Sequence, residues 1–260
     1  MFEQNKFTIN PAYAGEKIDK TRLSLTSLLI PNESDEASSY FIQGVNLDFS
    51  INENIATGTR ITYVNQEVFT EFTIDQSFAY KINLNRNQLL SFGLSAGINH
   101  TSANFRGGNG GNVYVDQNDP LLKADIDTEN NLRMEVGALY KIGNGEFSIS
   151  VPYLLDSRGL HLGLNSYLGY TFENINNFKL KPSLLLLRTS VDHYSLTGSI
   201  NAIYREKFWG QLNVTDLNQA VIGFGMQFDN FGVGYNFGKP LNNDLPQSAT
   251  SHQFGFFTNF

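Results

Sequence analysis

The side chains able to do chemistry in this chain are four histidines and one cluster of carboxylates. His100, His161, His193 and His252 are dispersed, and none has a second histidine or a glutamate at metal-ligand spacing. Cysteine is absent, which removes thiolate metal sites, disulfides and thiol nucleophiles. The densest acidic stretch runs RGGNGGNVYVDQNDPLLKADIDTEN, Arg106 to Asn130, and carries Asp116, Asp119, Asp125, Asp127 and Glu129. Its spacing departs from the D-x-[DN]-x-[DN]-G-x5-E pattern of a calcium loop, so it reads as solvated surface. No G-x-S-x-G elbow, phosphate loop or dinucleotide fingerprint occurs. The glycines of GFGMQFDNFGVGYNFG alternate within an extended pattern and open no helix. No enzyme activity, metal or cofactor is expected, and a net charge of −7 argues against nucleic acid.

The elements that would have to position a site are strands. Aromatics make up 13% of the 260 residues, with 21 Phe, 12 Tyr and 23 Gly, whereas charged residues reach only 17%. That balance favours pleated, turn-rich structure over surface helices. Alternation of period 2 runs through TEFTIDQSFAYKIN, where Phe72, Ile74, Phe78, Tyr80 and Ile82 oppose Thr73, Asp75, Ser77, Ala79 and Lys81. It recurs in LLSFGLSAGIN, in LRMEVGALYKI and in GLHLGLNSYLGYTF, which would turn His161 and, in a later run, His193 to the polar face. That face is made of Gly, Ser, Asn and Thr with charges of both signs, among them Asp48, Arg60, Asp75, Lys81, Arg133 and Glu135. A water-exposed sandwich face would carry more Lys and Glu. This one suits a crowded or water-filled lumen with opposed ion pairs.

Fourteen such runs can be counted, at 20–29, 40–51, 55–67, 70–82, 88–102, 132–142, 146–154, 159–173, 177–188, 193–205, 207–215, 218–228, 230–238 and 251–260. The even-numbered connections are short and turn-like, while the three long ones, at 30–39, 103–131 and 239–250, are all odd-numbered. An outer-membrane barrel segregates its connections this way, with short periplasmic turns and long outer loops. The expected fold is therefore all-β, a transmembrane antiparallel up-and-down β-barrel of 14 strands over 20–260, with a short lead-in over 1–19. Its last strand, SHQFGFFTNF, ends on an aromatic residue, like the strand that the barrel-assembly machinery recognises. A barrel of this size leaves open whether the lumen is plugged or conducting.

Ahead of the first run stands INPAYAG, and its six residues Asn10, Pro11, Ala12, Tyr13, Ala14 and Gly15 resemble the hallmark of the PorP/SprF family of Bacteroidetes outer-membrane proteins. The likeness continues through LSFGLSAGIN (90–99), Asp119–Pro120, YLGYTF (167–172), KPSLLL (181–186), FWGQL (208–212) and SHQFGFF (251–257). It departs at Gln253, where the family more often has Glu after Ser-His, and a signal peptide is expected upstream of this chain or removed from it. The resemblance implies a multi-pass outer-membrane protein of the type IX secretion and gliding motility system. Its implied partners are outer-membrane lipids and either a periplasmic ring lipoprotein or an adhesin C-terminal domain, with the acidic loop as docking face. The alternative is an outer-membrane channel for a small solute. The lead-in is expected to be periplasmic or lumenal, with Tyr13 anchoring it to the barrel wall or serving only as a strand lead-in.

Overall fold

The structure, a computed structural model, describes residues 5–16, 20–31, 40–66, 69–103, 126–156, 163–175, 177–188, 193–216, 218–241 and 250–260. Among them fifteen strands form one sheet: β1 (Arg22–Ile30), β2 (Tyr40–Ser50), β3 (Ile55–Gln66), β4 (Phe69–Asn85), β5 (Gln88–Ala103), β6 (Ile126–Ile142), β7 (Gly145–Asp156), β8 (Leu164–Tyr170), β9 (Phe172–Ile175), β10 (Phe178–Arg188), β11 (Tyr194–Tyr204), β12 (Phe208–Thr215), β13 (Gln219–Gln227), β14 (Phe231–Pro240) and β15 (Ser251–Asn259). Each pairs antiparallel with its neighbours, and β1 pairs with β15, so the sheet closes. Closure leaves no edge to meet lipid, where an unpaired backbone group is costly.

The barrel has fourteen staves, because β8 and β9 occupy one position against β10. The sequence run 159–173 therefore contains a break, at Thr171. The cause is the end of a neighbour: the β7 ladder on β8 stops at Gly145 opposite Tyr170, and the Thr171 amide donates instead to Asn144 O. Strand β9 continues as an overhang paired on one side.

Burial is inverted relative to a water-soluble protein. On β4, Thr73, Asp75, Ser77, Ala79 and Lys81 are buried, while Phe72, Ile74, Phe78 and Tyr80 are exposed to the lipid. Aromatic pairs mark the short-turn rim: Tyr170 with Phe172 (4.8 Å), Phe178 with Tyr204 (4.7 Å) and Phe228 with Phe231 (4.7 Å). Such girdles sit at the membrane interface. At that rim the chain reverses through Arg205, Glu206 and Lys207, with Arg205 and Glu206 at positive φ (50° and 58°), as the central pair of a primed turn closed by Lys207 N–H to Tyr204 O (3.1 Å) requires.

Two expectations are corrected. The connection placed at 103–131 is shorter, since β5 reaches Ala103 and β6 begins at Ile126; Asp127 and Glu129 therefore stand on a strand. His193 precedes β11 and is exposed rather than facing the lumen, and His161 lies outside the described residues. His100 and His252 meet Asn130 (2.9 Å) and Tyr235 (2.7 Å), and no metal-ligating cluster occurs among the described residues.

Candidate functional site: the N-terminal segment inside the barrel

Residues 5–16 run through the lumen and are held by inward-facing groups of β1 through β8. Two single-turn 3-10 helices, Lys6–Thr8 and Pro11–Tyr13, compact the segment. Asn10 caps the second turn: its Oδ1 accepts from Ala12 N (2.8 Å), and Pro11 follows with no N–H to satisfy. The Asn10 amide nitrogen then donates to the wall at Ala138 O (3.2 Å) and Ile149 O (3.0 Å). Ala12 O accepts from Ser91 Oγ (2.8 Å), while Ile9 O accepts from Ser150 Oγ (2.8 Å) and Asn165 Nδ2 (3.0 Å). The segment is thus tied to the wall both through backbone carbonyls and through inward-facing serine and asparagine side chains.

Gly15 ends the motif at φ +58°. Its N–H donates to Asp48 Oδ2 (2.8 Å), and its carbonyl accepts from Ser50 Oγ (3.0 Å) and from the Lys81 ammonium. A Cβ there would lie 2.6 Å from Ala56 Cβ and 2.9 Å from the Phe49 carbonyl carbon, so conformation and space both require glycine. The wall yields to the segment in turn. A Cβ on Gly93 would collide with the backbone of Pro11 and Ala12, one on Gly137 with the Asn10 amide, and one on Gly58 with the Phe7 ring (2.6 Å). The glycines of the inward face form the mould into which Phe7 and the Asn-Pro-Ala turn fit.

An apolar core results inside the barrel, formed by Phe7 (2% exposed), Ala12, Tyr13 (1% exposed) and Ala14 with Ala56, Ala79 and Leu139 of the wall. Around it stand two ionic networks. Arg60 donates to Phe7 O (3.2 Å) and Thr8 O (3.4 Å), and its other nitrogen meets Glu135 (2.5 Å) and Asp75 (3.5 Å). Toward the short-turn mouth, the Lys6 ammonium pairs with Glu146, Lys181 meets Glu146 at 2.5 Å, and Lys141 meets Glu16 at 2.5 Å. That mouth network has three ammoniums and two carboxylates. The surplus positive charge faces aromatic rings, with Lys6 Nζ 4.9 Å from the Tyr13 ring centre and 5.3 Å from that of Tyr167, and Lys181 Nζ 5.6 Å from Tyr167.

Burial lowers the Lys6 ammonium from its ordinary value, against the pull of Glu16 and Glu146. For Glu16, desolvation by the wall raises the carboxyl, but the Lys141 and Lys6 charges outweigh it and leave the group below the usual carboxylate range. Its side chain is 38% exposed, so lumen water screens these charges. Beneath the segment a cavity of about 60 Å³, lined by Tyr13, Glu16, Lys81, Leu139 and Lys141 among others, leaves room for a few waters only.

All six motif residues thus gather at one place. Of the acidic set, Asp116, Asp119 and Asp125 lie outside the described residues, and Asp127 and Glu129 stand on β6. The sequence reading missed Lys6, Glu16, Lys141, Glu146, Lys181 and the glycine mould. Their signal was a lead-in carrying Lys6 and Glu16 beside a polar face carrying opposite charges.

A closed, outward-apolar, fourteen-stave barrel with aromatic girdles is a multi-pass protein of the outer membrane. The family described as type IX secretion system membrane protein PorP/SprF matches residues 1–256, and the chain belongs to that family. No curated protein matches it. Among solved structures it is similar to the CymD monoaromatic hydrocarbon channel (TM-score 0.62, 10% identity, 98% of this chain and 92% of that one). It is similar also to the Ralstonia pickettii toluene transporter TbuX (0.59, 11%, 97% and 92%) and to a Pseudomonas aeruginosa FadL homologue (0.55, 10%, 96% and 92%). At these identities the likeness establishes the barrel fold.

Proposed function

We propose that this barrel serves type IX secretion as a plugged docking platform, assisting export or surface anchoring of adhesin-type cargo by binding secretion partners rather than by passing solute or catalysing a reaction. The observation that carries this reading is the fit of residues 5–16 into the lumen, where a glycine mould, two buried aromatic side chains and two ionic networks hold the segment against the wall. A barrel built to conduct keeps its lumen open or closes it with a plug that can move aside. One built to dock partners gains rigidity and an intact permeability barrier.

Docking then falls to the two ends. At the long-loop end, β4, β5 and β6 are 17, 16 and 17 residues long against 8 and 9 for β12 and β13, so one side of the wall stands tall. That tall side carries Asp127, Glu129 and the connection with Asp116, Asp119 and Asp125, whose negative charge would steer a basic patch on an adhesin C-terminal domain. At the short-turn end, where the lead-in enters, the partner is a periplasmic ring lipoprotein. The test is affinity purification of the tagged protein from detergent-solubilised outer membranes. Recovery of a ring lipoprotein or of an adhesin C-terminal domain supports the reading. Recovery of the barrel alone, together with steady conductance in planar bilayers, overturns it in favour of a solute channel.

A further inference from the structure

The outward face of β3–β6 carries one feature that a lipid-facing wall does not require. At mid-height one row reads Leu47, Thr59, Gln76, Ala96 and Met134 across β2 to β6. The row above it on β3–β6 is Ile61, Ile74, Ile98 and Leu132, and the row below is Thr57, Phe78, Leu94 and Val136. Gln76 is exposed, so an amide stands in the middle of the apolar band, where a polar group is costly unless it is paired.

Gln76 is only partly satisfied within its own wall. Its Oε1 accepts from Thr59 Oγ1 (2.7 Å), and its Nε2 donates to Thr57 Oγ1 (2.7 Å). The remaining approach, to Ser77 O, is a long 3.5 Å. One N–H is therefore weakly used, and a carbonyl lone pair stays open toward the lipid. Next to Gln76 stand the small residues Ala96 and Thr59, ringed by larger apolar ones. Small residues let two transmembrane walls approach closely.

We infer that this face is a lateral interface with a second copy of the same chain, with Gln76 of each copy hydrogen-bonded to Gln76 of the other. Two copies inserted the same way round that meet through this same face are related by a two-fold axis along the membrane normal, so a residue on that axis meets its own counterpart at its own depth. An amide, with one donor held only by a long contact and one acceptor lone pair open, complements itself in that arrangement. A carboxylate or an ammonium would repel its counterpart. The same logic lets a single buried Asn specify pairing in coiled coils.

The absence of cysteine makes the test direct. Ala96→Cys, introduced alone and treated in isolated outer membranes with a bis-maleimide reaching about 10 Å, twice the spacing between the Ala96 strand and an on-axis Gln76, is expected to give a covalently linked pair of this chain. Leu184→Cys, on the outward face of β10, is expected to give none. Adding Gln76→Leu to Ala96→Cys is expected to weaken the pair about tenfold, the order of effect of one hydrogen bond between membrane-embedded elements. Gln76→Leu puts an apolar residue on an apolar face, so its folding can be verified by the heat-dependent gel shift of a closed barrel. Native mass spectrometry of the protein in mild detergent gives the second readout, a dimer for the natural chain and a monomer for Gln76→Leu. A monomer throughout with no cross-link, a cross-link indifferent to Gln76→Leu, or a cross-link to a different protein would each overturn the inference.

Discussion

Substituting Gly15 by alanine isolates the lock that holds the N-terminal segment in the lumen. Gly15 sits at φ +58°, a conformation that costs an L-residue roughly 1–2 kcal/mol. The added methyl would also lie 2.6 Å from Ala56 Cβ, 2.8 Å from Ser50 Oγ and 2.9 Å from the Phe49 carbonyl carbon. Two of those three neighbours are backbone or a residue packed on backbone, so relief requires the segment itself to move; overpacking of this kind costs roughly 1–3 kcal/mol. Together the terms weaken docking by about 2–5 kcal/mol, or about 30- to 4,000-fold in the docked-to-undocked ratio. The assay is conductance of single barrels in planar bilayers: the natural chain is expected to be closed, and Gly15→Ala to open intermittently or continuously. Gly143→Ala supplies the control. Gly143 also has positive φ (+53°), but a Cβ there meets nothing within 4 Å and the residue lies in the β6–β7 turn. Its substitution strains a turn without touching the segment and should leave conductance unchanged. If Gly15→Ala stays closed, or if Gly143→Ala opens the barrel equally, the argument that Gly15 locks the segment is refuted.

Four further outcomes follow from the same geometry. Phe7→Ala, which empties a fully buried aromatic site in the mould, should loosen the segment by about 3–5 kcal/mol and raise protease cleavage within residues 5–16. Arg60→Met strands the Glu135 and Asp75 carboxylates and should lower stability to denaturant in detergent by about 3–5 kcal/mol; adding Glu135→Leu should restore much of it, and no recovery would show that the pair is not coupled. Because Glu16 titrates below its ordinary value of 4.5, its contribution to docking is present above that pH and is lost as pH falls below it. Openings should therefore increase on acidification below about pH 4.5, and Glu16→Gln should flatten that dependence. Leu94→Arg, on the outward face at mid-membrane, should cost about 2–4 kcal/mol in folding into lipid, whereas Gln88→Arg at the short-turn rim should cost little; equal effects would contradict the assigned faces.

The strands were legible because the membrane imposes a strict period: a residue such as Phe78 is worth burying only in lipid, and its neighbours Ser77 and Ala79 only against the lumen. Legibility fell off where that contrast vanished. The start of β6, where Glu129 stands opposite Thr101, lies beyond the apolar band and carries no greasy face, so the sequence read it as loop. The break at Thr171 depends on where β7 ends, which is a property of a neighbouring strand and not of the local residues. For the motif, the local chemistry was readable: Asn10 and Pro11 start a turn, and Gly15 takes positive φ. Its partners were not, since Ser91, Gly93, Gly137, Glu146 and Ser150 stand far along the chain and converge only once the barrel closes. The glycines of the inward face, Gly93 and Gly137 among them, read only as part of a small and polar lumen lining. Several in fact make room for the chain's own N-terminal segment.

The central claim, that this barrel works by holding secretion partners and not by conducting, is tested most directly in cells lacking the protein. Surface display of type IX cargo and uptake of small solutes would be measured side by side. The account expects cargo to be retained inside the cell while solute uptake is unchanged, with restoration by the natural chain. Normal cargo display with a loss of solute uptake would contradict it.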